Sequence, residues 1–165
     1  MFYGADQAAI HDRVFGKLAA FAGDDLVALL GTAGLTTGTI VDLGCGSGIL
    51  SRRLTDAGYE VVGVDISADM VALAQARAPG ARLTVGSLHD TALPAGCVGV
   101  AATGEAVNYA TDRRAGMEAL ERLAARVHGA LAPGGYWLFD ASGPGGAVPG
   151  GRRRSSTATT TGVSA

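Results

Sequence analysis

Two acidic residues each follow a short apolar run, and a tight glycine loop comes directly after the first acid. Asp42 is followed by Leu-Gly-Cys-Gly-Ser-Gly, and Asp65 ends the run Val-Gly-Val. Because ligands bind outside the carboxyl ends of parallel strands, we expect both acids and the loop to form one nucleoside site. Glycine suits such a loop because it lacks Cβ and tolerates positive φ, which lets the backbone approach a ligand closely.

The spacing of the glycines indicates which ligand is bound. Gly44, Gly46 and Gly48 follow the pattern G-x-G-x-G, whereas the dinucleotide fingerprint G-x-G-x-x-G requires glycine where Ile49 stands. A dinucleotide lays its pyrophosphate on the helix N-terminus, and a ligand without pyrophosphate needs only close backbone approach. An acid directly before the loop, as at Asp42, would repel phosphate and attract a cationic group.

The position of Asp65 indicates a further part of the ligand, a ribose. An acid about 20 residues beyond a glycine loop suits a bidentate contact to ribose hydroxyls. An acid for a cation, a ribose-binding acid and the lack of a phosphate cradle together indicate S-adenosylmethionine, which carries an ammonium and a sulfonium. The alternative for Asp65 is an acid that only flanks a helix.

Three segments resemble, in the same order, motifs of the class I S-adenosylmethionine-dependent methyltransferases. They are Asp42–Gly48, Val64–Ser67 and Leu131–Asp140, and the resemblance covers residues 1–145. It implies an α/β fold, a Rossmann-like doubly wound parallel sheet with helices on both faces. The alternative is any other Rossmann-like sheet that has a glycine turn.

The resemblance also implies roles for individual residues. The three glycines let the methionine part and the ribose approach the backbone, and Cys45 is a small residue of the same loop. Asp42 orients the ammonium directly or through water, Asp65 takes the ribose hydroxyls, and Ile66 packs on the adenine. Gly104 and Glu105, after the fourth strand, line the methyl-donor end.

The loop after the third strand departs from the family pattern. The family commonly has an acid after the glycine at this point, near the adenine amino group, and here Ser87 follows Gly86. Ser87 stays in the predicted cofactor site together with Leu88. Adenine recognition is expected to fall to the backbone of Leu88 or to Asp90.

No catalytic residue follows from the sequence. A general base is needed only if the acceptor has a proton to lose, and His11, His89 and Glu105 are candidates. The alternative for each histidine is a surface or structurally satisfied residue, and Tyr109 is divided between core and site. Nothing around Cys45 suggests a nucleophile.

The acceptor is expected to be a small molecule. The chain has no Asn/Asp-Pro-Pro-Tyr/Phe motif, which the nucleic-acid amino methyltransferases of this class tend to carry. Two alternatives stay open: a binding module that holds S-adenosylmethionine without catalysis, and a nicotinamide-dependent oxidoreductase, against which Ile49 argues. The identity of the acceptor and the oligomeric state cannot be read from the sequence.

Composition excludes several classes of function. The 165 residues are 48% hydrophobic and 17% charged, as expected of a folded domain with a sizeable core. A net charge of −2 gives no electrostatic case for nucleic-acid or membrane binding. Two cysteines are too few for a disulfide framework or a zinc site, and no metal is expected. Without a signal-peptide pattern or an apolar run long enough to span a bilayer, a cytoplasmic location is expected.

Alternating strand and helix signals place these residues on elements. A helical pattern covers residues 5–30, with a break expected at Gly23, and Ser67 and Gly58 are expected as helix caps. Met117, Leu120, Leu123 and Val127 should share one buried face. The predicted strands are 39–43, 60–65, 82–85, 97–103 and 136–139, and further helices are expected at 48–57, from Ser67 to Pro79, and at 112–131.

The composition changes abruptly after Asp140. Residues 146–165, rich in Gly, Arg, Ser and Thr, are expected to be a disordered tail after a cofactor-binding domain of residues 1–145. The tail is read as a basic arm, as a bland terminus, or as a product cut short or shifted out of frame after Arg152. In each case the family's final antiparallel hairpin would be missing, and Tyr136–Phe139 would form an open, self-associating edge.

Overall fold

Strands and helices alternate along most of the chain. The computed structural model describes residues 5–109, 112, 115–141 and 157–160, with the backbone alone for residues 5–15 and 157–160. The elements in chain order are α1 (Ala5–Thr32), β1 (Thr39–Leu43), α2 (Ile49–Asp56), β2 (Glu60–Asp65), α3 (Ala68–Arg77), β3 (Arg82–Val85), β4 (Cys97–Ala102), a short 3-10 helix (Ala106–Asn108), α4 (Met117–Ala130), β5 (Leu131–Asp140) and β6 (Thr157–Thr160).

One sheet with the strand order β3-β2-β1-β4-β5-β6 organises the molecule. The first five strands are parallel neighbours, and Val41 of β1 pairs with Val62 of β2 on one side and Val100 of β4 on the other. The strand order therefore reverses at β1, between β2 and β4. In open α/β sheets a ligand site lies at the carboxyl ends of the strands at this reversal.

Helices cover both faces of the sheet, as the resemblance implied. On one face, Leu26 and Leu30 of α1 and Leu54 of α2 pack against Ile40. On the other face, α4 packs Leu123 and Val127 against the strand core that includes Val41, Leu43 and Val100. Because successive strand side chains point to opposite faces, neighbouring residues of β1 contribute to different cores.

Most predicted element boundaries are confirmed. β1, β2 and β3 have the expected ends, β4 ends one residue early, and β5 begins at Leu131 rather than at 136. Ser67 caps α3 by accepting a hydrogen bond from the Met70 amide at 3.3 Å. Gly58, with φ of 93°, follows the end of α2, and the amides of Gly58 and Tyr59 donate back to Thr55 and Leu54.

Two helix predictions are wrong. α1 continues through Gly23, and this glycine allows α2 to pack closely, since a Cβ added there would lie 2.9 Å from Cγ of Arg53. α4 begins at Met117 rather than at 112, and Met117 is 70% exposed instead of sharing the buried face. Asp112 lies before the helix, where its amide donates to the carbonyl of Tyr109 at 3.0 Å.

The expectation of an open edge at β5 is also wrong. Thr157–Thr160 forms β6, which pairs antiparallel with Trp137–Asp140 of β5. β-branched threonine suits an extended conformation, and the edge of β5 offers backbone groups that a strand can pair. The rest of the predicted tail lies outside the described residues, and the division at residue 145 stays a prediction.

Gly48 lies at the start of α2 and packs against Ala74 of α3, so its replacement should lower the stability of the fold. Its φ is 82°, and an added Cβ would lie 2.8 Å from Cα of Ala74, whereas an added Cβ at Gly58 meets nothing within 4 Å. We expect Gly58→Ala to lower the free energy of unfolding by about 1–2 kcal/mol through backbone strain alone. Gly48→Ala adds a backbone clash and should cost about 3 kcal/mol or more. Urea unfolding measures both, and equal losses would contradict the packing role.

Candidate functional site

A cleft opens at the carboxyl ends of β1, β2 and β4, where the strand order reverses. It encloses about 720 Å³ including space open to solvent, and we call it the main cleft. Small-molecule sites measure about 300–1,000 Å³. Its walls include Gly44, Asp65, Ile66, Leu88, Gly104 and Asp112.

A second cleft, here the side cleft, lies across the glycine loop from the main cleft and beneath α1. It encloses about 430 Å³ and is lined by Asp42, Cys45, Leu18 and Ile49, among others. Gly44, Gly46, Thr103 and Gly104 border both clefts. The glycine loop and the residues after β4 therefore lie between two neighbouring clefts. Asp65 lines the main cleft, and Asp42 lines the side cleft.

The glycine loop is held against the end of β2. The amides of Gly44 and Cys45 both donate to the carbonyl of Val64, at 2.8 and 3.0 Å. Gly44 has φ of 76°, and an added Cβ would lie 2.6 Å from Cβ of Ala106. Gly46 has φ of 51°, and an added Cβ there would project into open space. The loop thus needs glycine for its backbone conformation and leaves room above Gly46 for a ligand.

Asp65 is fixed by two backbone amides. Its Oδ2 accepts from the Gly46 amide at 2.9 Å, and its Oδ1 accepts from the Ser67 amide at 2.8 Å. A carboxylate has about four lone-pair sites, so two of them are still available for a ligand. Asp65 therefore braces both the glycine loop and the start of α3, and it also lines the main cleft.

Asp42 is a buried acid beneath the side cleft. Asp42 is only 1% exposed, and its Oδ2 accepts a hydrogen bond from Oγ of Ser51 at 2.6 Å. Burial raises the pKa of Asp42 from its ordinary value of 3.8 to about 6, partly offset by the Ser51 hydroxyl and increased by the charge of Asp65. Asp42 therefore changes charge near neutral pH.

Arg77 at the end of α3 braces the glycine loop from the other side. Its Nη1 donates to the carbonyl of Ser47 at 2.7 Å and to Oγ of Ser47 at 2.5 Å. The sequence analysis missed this residue. Its one signal was a basic side chain in the last turn of a helix, which usually indicates only a favourable interaction with the helix dipole.

Cys45 and Gly48 of the loop are packed against the rest of the protein. Cys45 borders the side cleft but is 6% exposed, and burial raises the pKa of its thiol. Because the thiolate is the reactive form, Cys45 is not a nucleophile near neutral pH. Gly48 borders neither cleft in the described structure, and its close contact is with Ala74.

The loop after β3 contributes fewer residues to the main cleft than expected. Leu88 lines it, but Ser87 is buried behind it and donates from Oγ to Oδ2 of Asp112. Asp90 is exposed and lies beside His89 in a shallow depression near Arg126, away from both clefts. The structure therefore does not bring Asp90 or His89 to the site, because this loop runs over α4, where Arg126 donates to the His89 carbonyl.

The first residues after β4, Thr103 and Gly104, border both clefts, whereas Glu105 lines neither of them. Glu105 has φ of 58°, its side chain is exposed, and its amide donates to Oδ2 of Asp140 at 2.9 Å. Gly104 lines both clefts and Tyr109 lines the main cleft. His11 lies on α1, and its side chain is outside the described residues.

The sequence analysis also missed Asp112, which it assigned to the start of a helix. Asp112 is 7% exposed and lines the main cleft. No local pattern marks it, because its burial depends on Ser87, 25 residues earlier in the chain.

The described residues contain neither a metal-ligand cluster nor a membrane-spanning helix. Among them, no group of three or more His, Cys, Asp or Glu side chains is arranged to hold a metal ion. No helix in the same part of the chain is both long enough and apolar enough to cross a membrane.

Comparison with known proteins finds a family match that covers the glycine loop and the strands of the main cleft. Residues 41–139 match the family model described as Methyltransferase domain. The chain is 30% identical over 148 residues to the dTDP-3-amino-3,6-dideoxy-alpha-D-glucopyranose N,N-dimethyltransferase of Streptomyces fradiae, covering 87% of this chain and 58% of that protein. It is also 30% identical over 133 residues to the malonyl-[acyl-carrier protein] O-methyltransferase of Pectobacterium atrosepticum, covering 80% of this chain and 48% of that protein.

A similar solved structure is the amino pentose methyltransferase of calicheamicin biosynthesis from Micromonospora echinaspora, with S-adenosylmethionine bound. It superposes with a TM-score of 0.64 at 25% identity and covers 87% of this chain and 58% of that one. The chain thus spans about half the length of the curated relatives it matches.

The raised pKa of Asp42 should make stability depend on pH. Both folded and unfolded chains hold the proton below pH 3.8, but between 3.8 and about 6 only the folded chain does. The contribution of Asp42 to the free energy of unfolding therefore falls as pH rises through this window, by about 3 kcal/mol, and is level above it. Asp42→Asn cannot ionise, so its stability relative to the native chain should increase from pH 4 to pH 6.5 by a similar amount. Urea unfolding at several pH values measures this, and a pH-independent difference would contradict it.

Proposed function

Because the chain belongs to the methyltransferase domain family, we propose that it transfers the methyl group of S-adenosylmethionine to a small-molecule acceptor. The observation that carries this proposal is the fixed carboxylate of Asp65 beside a positive-φ glycine loop. The two amides that hold Asp65 orient it toward the main cleft, and the space above Gly46 admits a ligand. This arrangement suits a nucleoside with two free ribose hydroxyls.

The residues present fit the two halves of this cofactor. In the proposal, Asp65 accepts hydrogen bonds from the ribose, and the apolar side chains of Ile66 and Leu88 flank the adenine. The methionine part lies toward the side cleft, where ionised Asp42 attracts the ammonium. Gly44 and Gly46 border both clefts and allow the backbone to follow the ligand, and Cys45 forms part of the same wall.

In the proposal, several of the predicted site residues have roles other than direct contact with the cofactor. Ser87 acts through Asp112 rather than by direct contact, and Gly48 supports the loop through helix packing. Gly104 borders the methyl-donor end, and the Asp140 carboxylate holds the amide of Glu105, the residue that follows it. These roles, like those of the other site residues, belong to the proposal.

The chemistry itself requires little from the protein. When bound, S-adenosylmethionine supplies an electrophilic methyl group on its sulfonium. The chain then has to orient the acceptor and exclude water. If the acceptor loses a proton, the candidates to receive it are Glu105 after β4 and His11 on α1.

The proposal of a small-molecule acceptor rests on the relatives. One relative is named as an N,N-dimethyltransferase of a dTDP-linked amino sugar. The other is named as an O-methyltransferase of malonyl-[acyl-carrier protein]. An amine and an oxygen acceptor thus occur among similar proteins, and the acceptor atom stays open for this chain. The oxidoreductase alternative receives no support, because the matched family is one of methyltransferases.

Calorimetric titration with S-adenosylhomocysteine tests the proposed function. We expect saturable binding to the native chain and a loss of about 10-fold or more in Asp65→Asn, since the variant removes a charged acceptor for the ribose. Asp69→Asn makes the same chemical change on an exposed residue outside the clefts and should bind like the native chain. Circular dichroism confirms folding of each variant. A folded native chain that binds no S-adenosylhomocysteine would refute the proposal.

The affinity for this ligand should also depend on pH. Asp42 is ionised above about pH 6 and neutral below it, and only the ionised form attracts the ligand ammonium. We expect the affinity to rise from pH 5 to pH 7.5, steeply below the pKa, and to be nearly flat over this range in Asp42→Asn. The same titration at four pH values measures it. An equal pH dependence in both proteins would rule out Asp42 as the ammonium partner.

A further inference from the structure

The carboxylate of Asp140, at the carboxyl end of β5, has one oxygen in use and one without a partner. Its Oδ2 accepts a hydrogen bond from the Glu105 amide at 2.9 Å. Its Oδ1 is buried, and no group in the described part of the chain donates a hydrogen bond to it. A buried acceptor without a donor is costly, and folded proteins retain such a cost chiefly at functional sites. Asp140 is therefore a candidate for binding a ligand.

Strand pairing places Asp140 beside the residues that lie between the two clefts. Ala102 of β4 pairs with Phe139 of β5, so Thr103 and Asp140 follow as neighbours at the same end of the sheet. Thr103 and Gly104 border both clefts, and the Asp140 side chain bonds to the amide of the next residue. In the proposed function, the sulfonium of the cofactor lies between the two clefts. Asp140 is therefore next to the place where an acceptor would meet the methyl group.

Asp140 suits this place better than the acid that the sequence suggested. Glu105 is exposed and lines neither cleft, so water screens the charge of its side chain. Asp42 and Asp65 face the two halves of the cofactor in the proposed function. Asp140 combines a buried, unpaired oxygen with a position beside Gly104. A charge in buried surroundings acts more strongly on a neighbouring charge than one in water does.

We propose that Asp140 selects an amine as the methyl acceptor by attracting the positive charge that forms on its nitrogen. This inference deepens the proposed function and rests on it. A neutral amine forms the new N–C bond with its lone pair, while the former bonding pair stays on the sulfur of the cofactor. The nitrogen keeps its hydrogens and becomes positively charged, and a carboxylate beside it stabilises that charge as it develops. An acceptor oxygen that loses its proton ends without charge, so the same carboxylate stabilises its product less.

Two analogues of the cofactor test this inference without a known acceptor. Sinefungin carries an ammonium group where S-adenosylmethionine carries its methyl group, and S-adenosylhomocysteine has no group at this place. Both analogues share the adenosine and the terminal amino acid, so the contributions of Asp42 and Asp65 cancel in the ratio of their affinities. We expect the native chain to bind sinefungin about 10-fold or more tightly than S-adenosylhomocysteine in calorimetric titration.

Asp140→Asn is the matched variant for this test. Its amide oxygen can still accept from the Glu105 amide, and its NH₂ group replaces the unpaired oxygen. We expect the preference for sinefungin to fall toward unity, while the affinity for S-adenosylhomocysteine stays the same. Asp69→Asn removes a charge from an exposed residue outside the clefts and should keep the native ratio. Asp140→Ser, which keeps a short uncharged acceptor, serves if Asp140→Asn does not fold and should lose the preference too.

The outcomes separate this inference from the proposed function. No binding of S-adenosylhomocysteine by the folded native chain would refute the proposed function. Binding of both analogues with equal affinity by the native chain would overturn the role of Asp140 while leaving the proposed function standing. So would a preference that persists in folded Asp140→Asn, or in Asp140→Ser if the first variant does not fold. An equal loss of affinity for both analogues in the variant would mark a merely structural role and overturn it as well.

Discussion

The two hydrogen bonds to the carboxylate of Asp65 are the contact on which the site depends. They connect three pieces of backbone: the end of β2, the glycine loop after β1 and the start of α3. β1 and β2 are paired in the sheet, so the loop and the acid already lie close together, and the two amides set the orientation of the side chain. A carboxylate held in this way presents its unused lone pairs in a defined direction, which is what recognition of a pair of hydroxyls requires.

Charge burial gives the two clefts different properties. Asp65 is only partly buried and shares its charge with two amides, whereas Asp42 is almost fully buried with one hydroxyl partner. The ionised form of Asp42 is therefore costly in the folded chain without a ligand. A cation that binds in the side cleft would offset this cost. Asp42 therefore lowers the stability of the fold near neutral pH, and the same charge would strengthen the binding of a cationic ligand. Such an exchange of stability for function is common at functional sites.

The glycines of the loop serve different purposes although they share one motif. Gly44 admits the 3-10 helix, Gly46 leaves space for a ligand, and Gly48 lets α2 pack against α3. Gly63 on β2 has a similar role inside the sheet layer, since an added Cβ would lie 2.7 Å from Leu83. A glycine pattern therefore reports close backbone approach, and the structure shows whether the approaching group is a helix, a side chain or open space.

Much of the fold followed from the sequence, as did the meeting of Asp42, the glycine loop and Asp65 at one sheet edge, because they depend on local patterns. Short apolar runs that end in an acid or a glycine marked β1 and β2, and the spacing between them brought Asp42, the loop and Asp65 to one edge of the sheet. Features that depend on contacts between distant segments did not follow. α2 packs closely against Gly23 of an unbroken α1, α4 begins at Met117 with this side chain exposed, and the backbone of β6 pairs with the edge of β5.

Asp112 shows this limit most clearly. The family resemblance led us to expect an acid at position 87, and because Ser87 stands there, the backbone of Leu88 or the side chain of Asp90 was expected in its place. The tertiary structure instead leaves Asp90 exposed and places Asp112 against Ser87, which is 25 residues earlier in the chain. Local sequence determines which residues can form strands, caps and turns, whereas the choice between two acids depends on which one the packing of distant segments buries at the cleft.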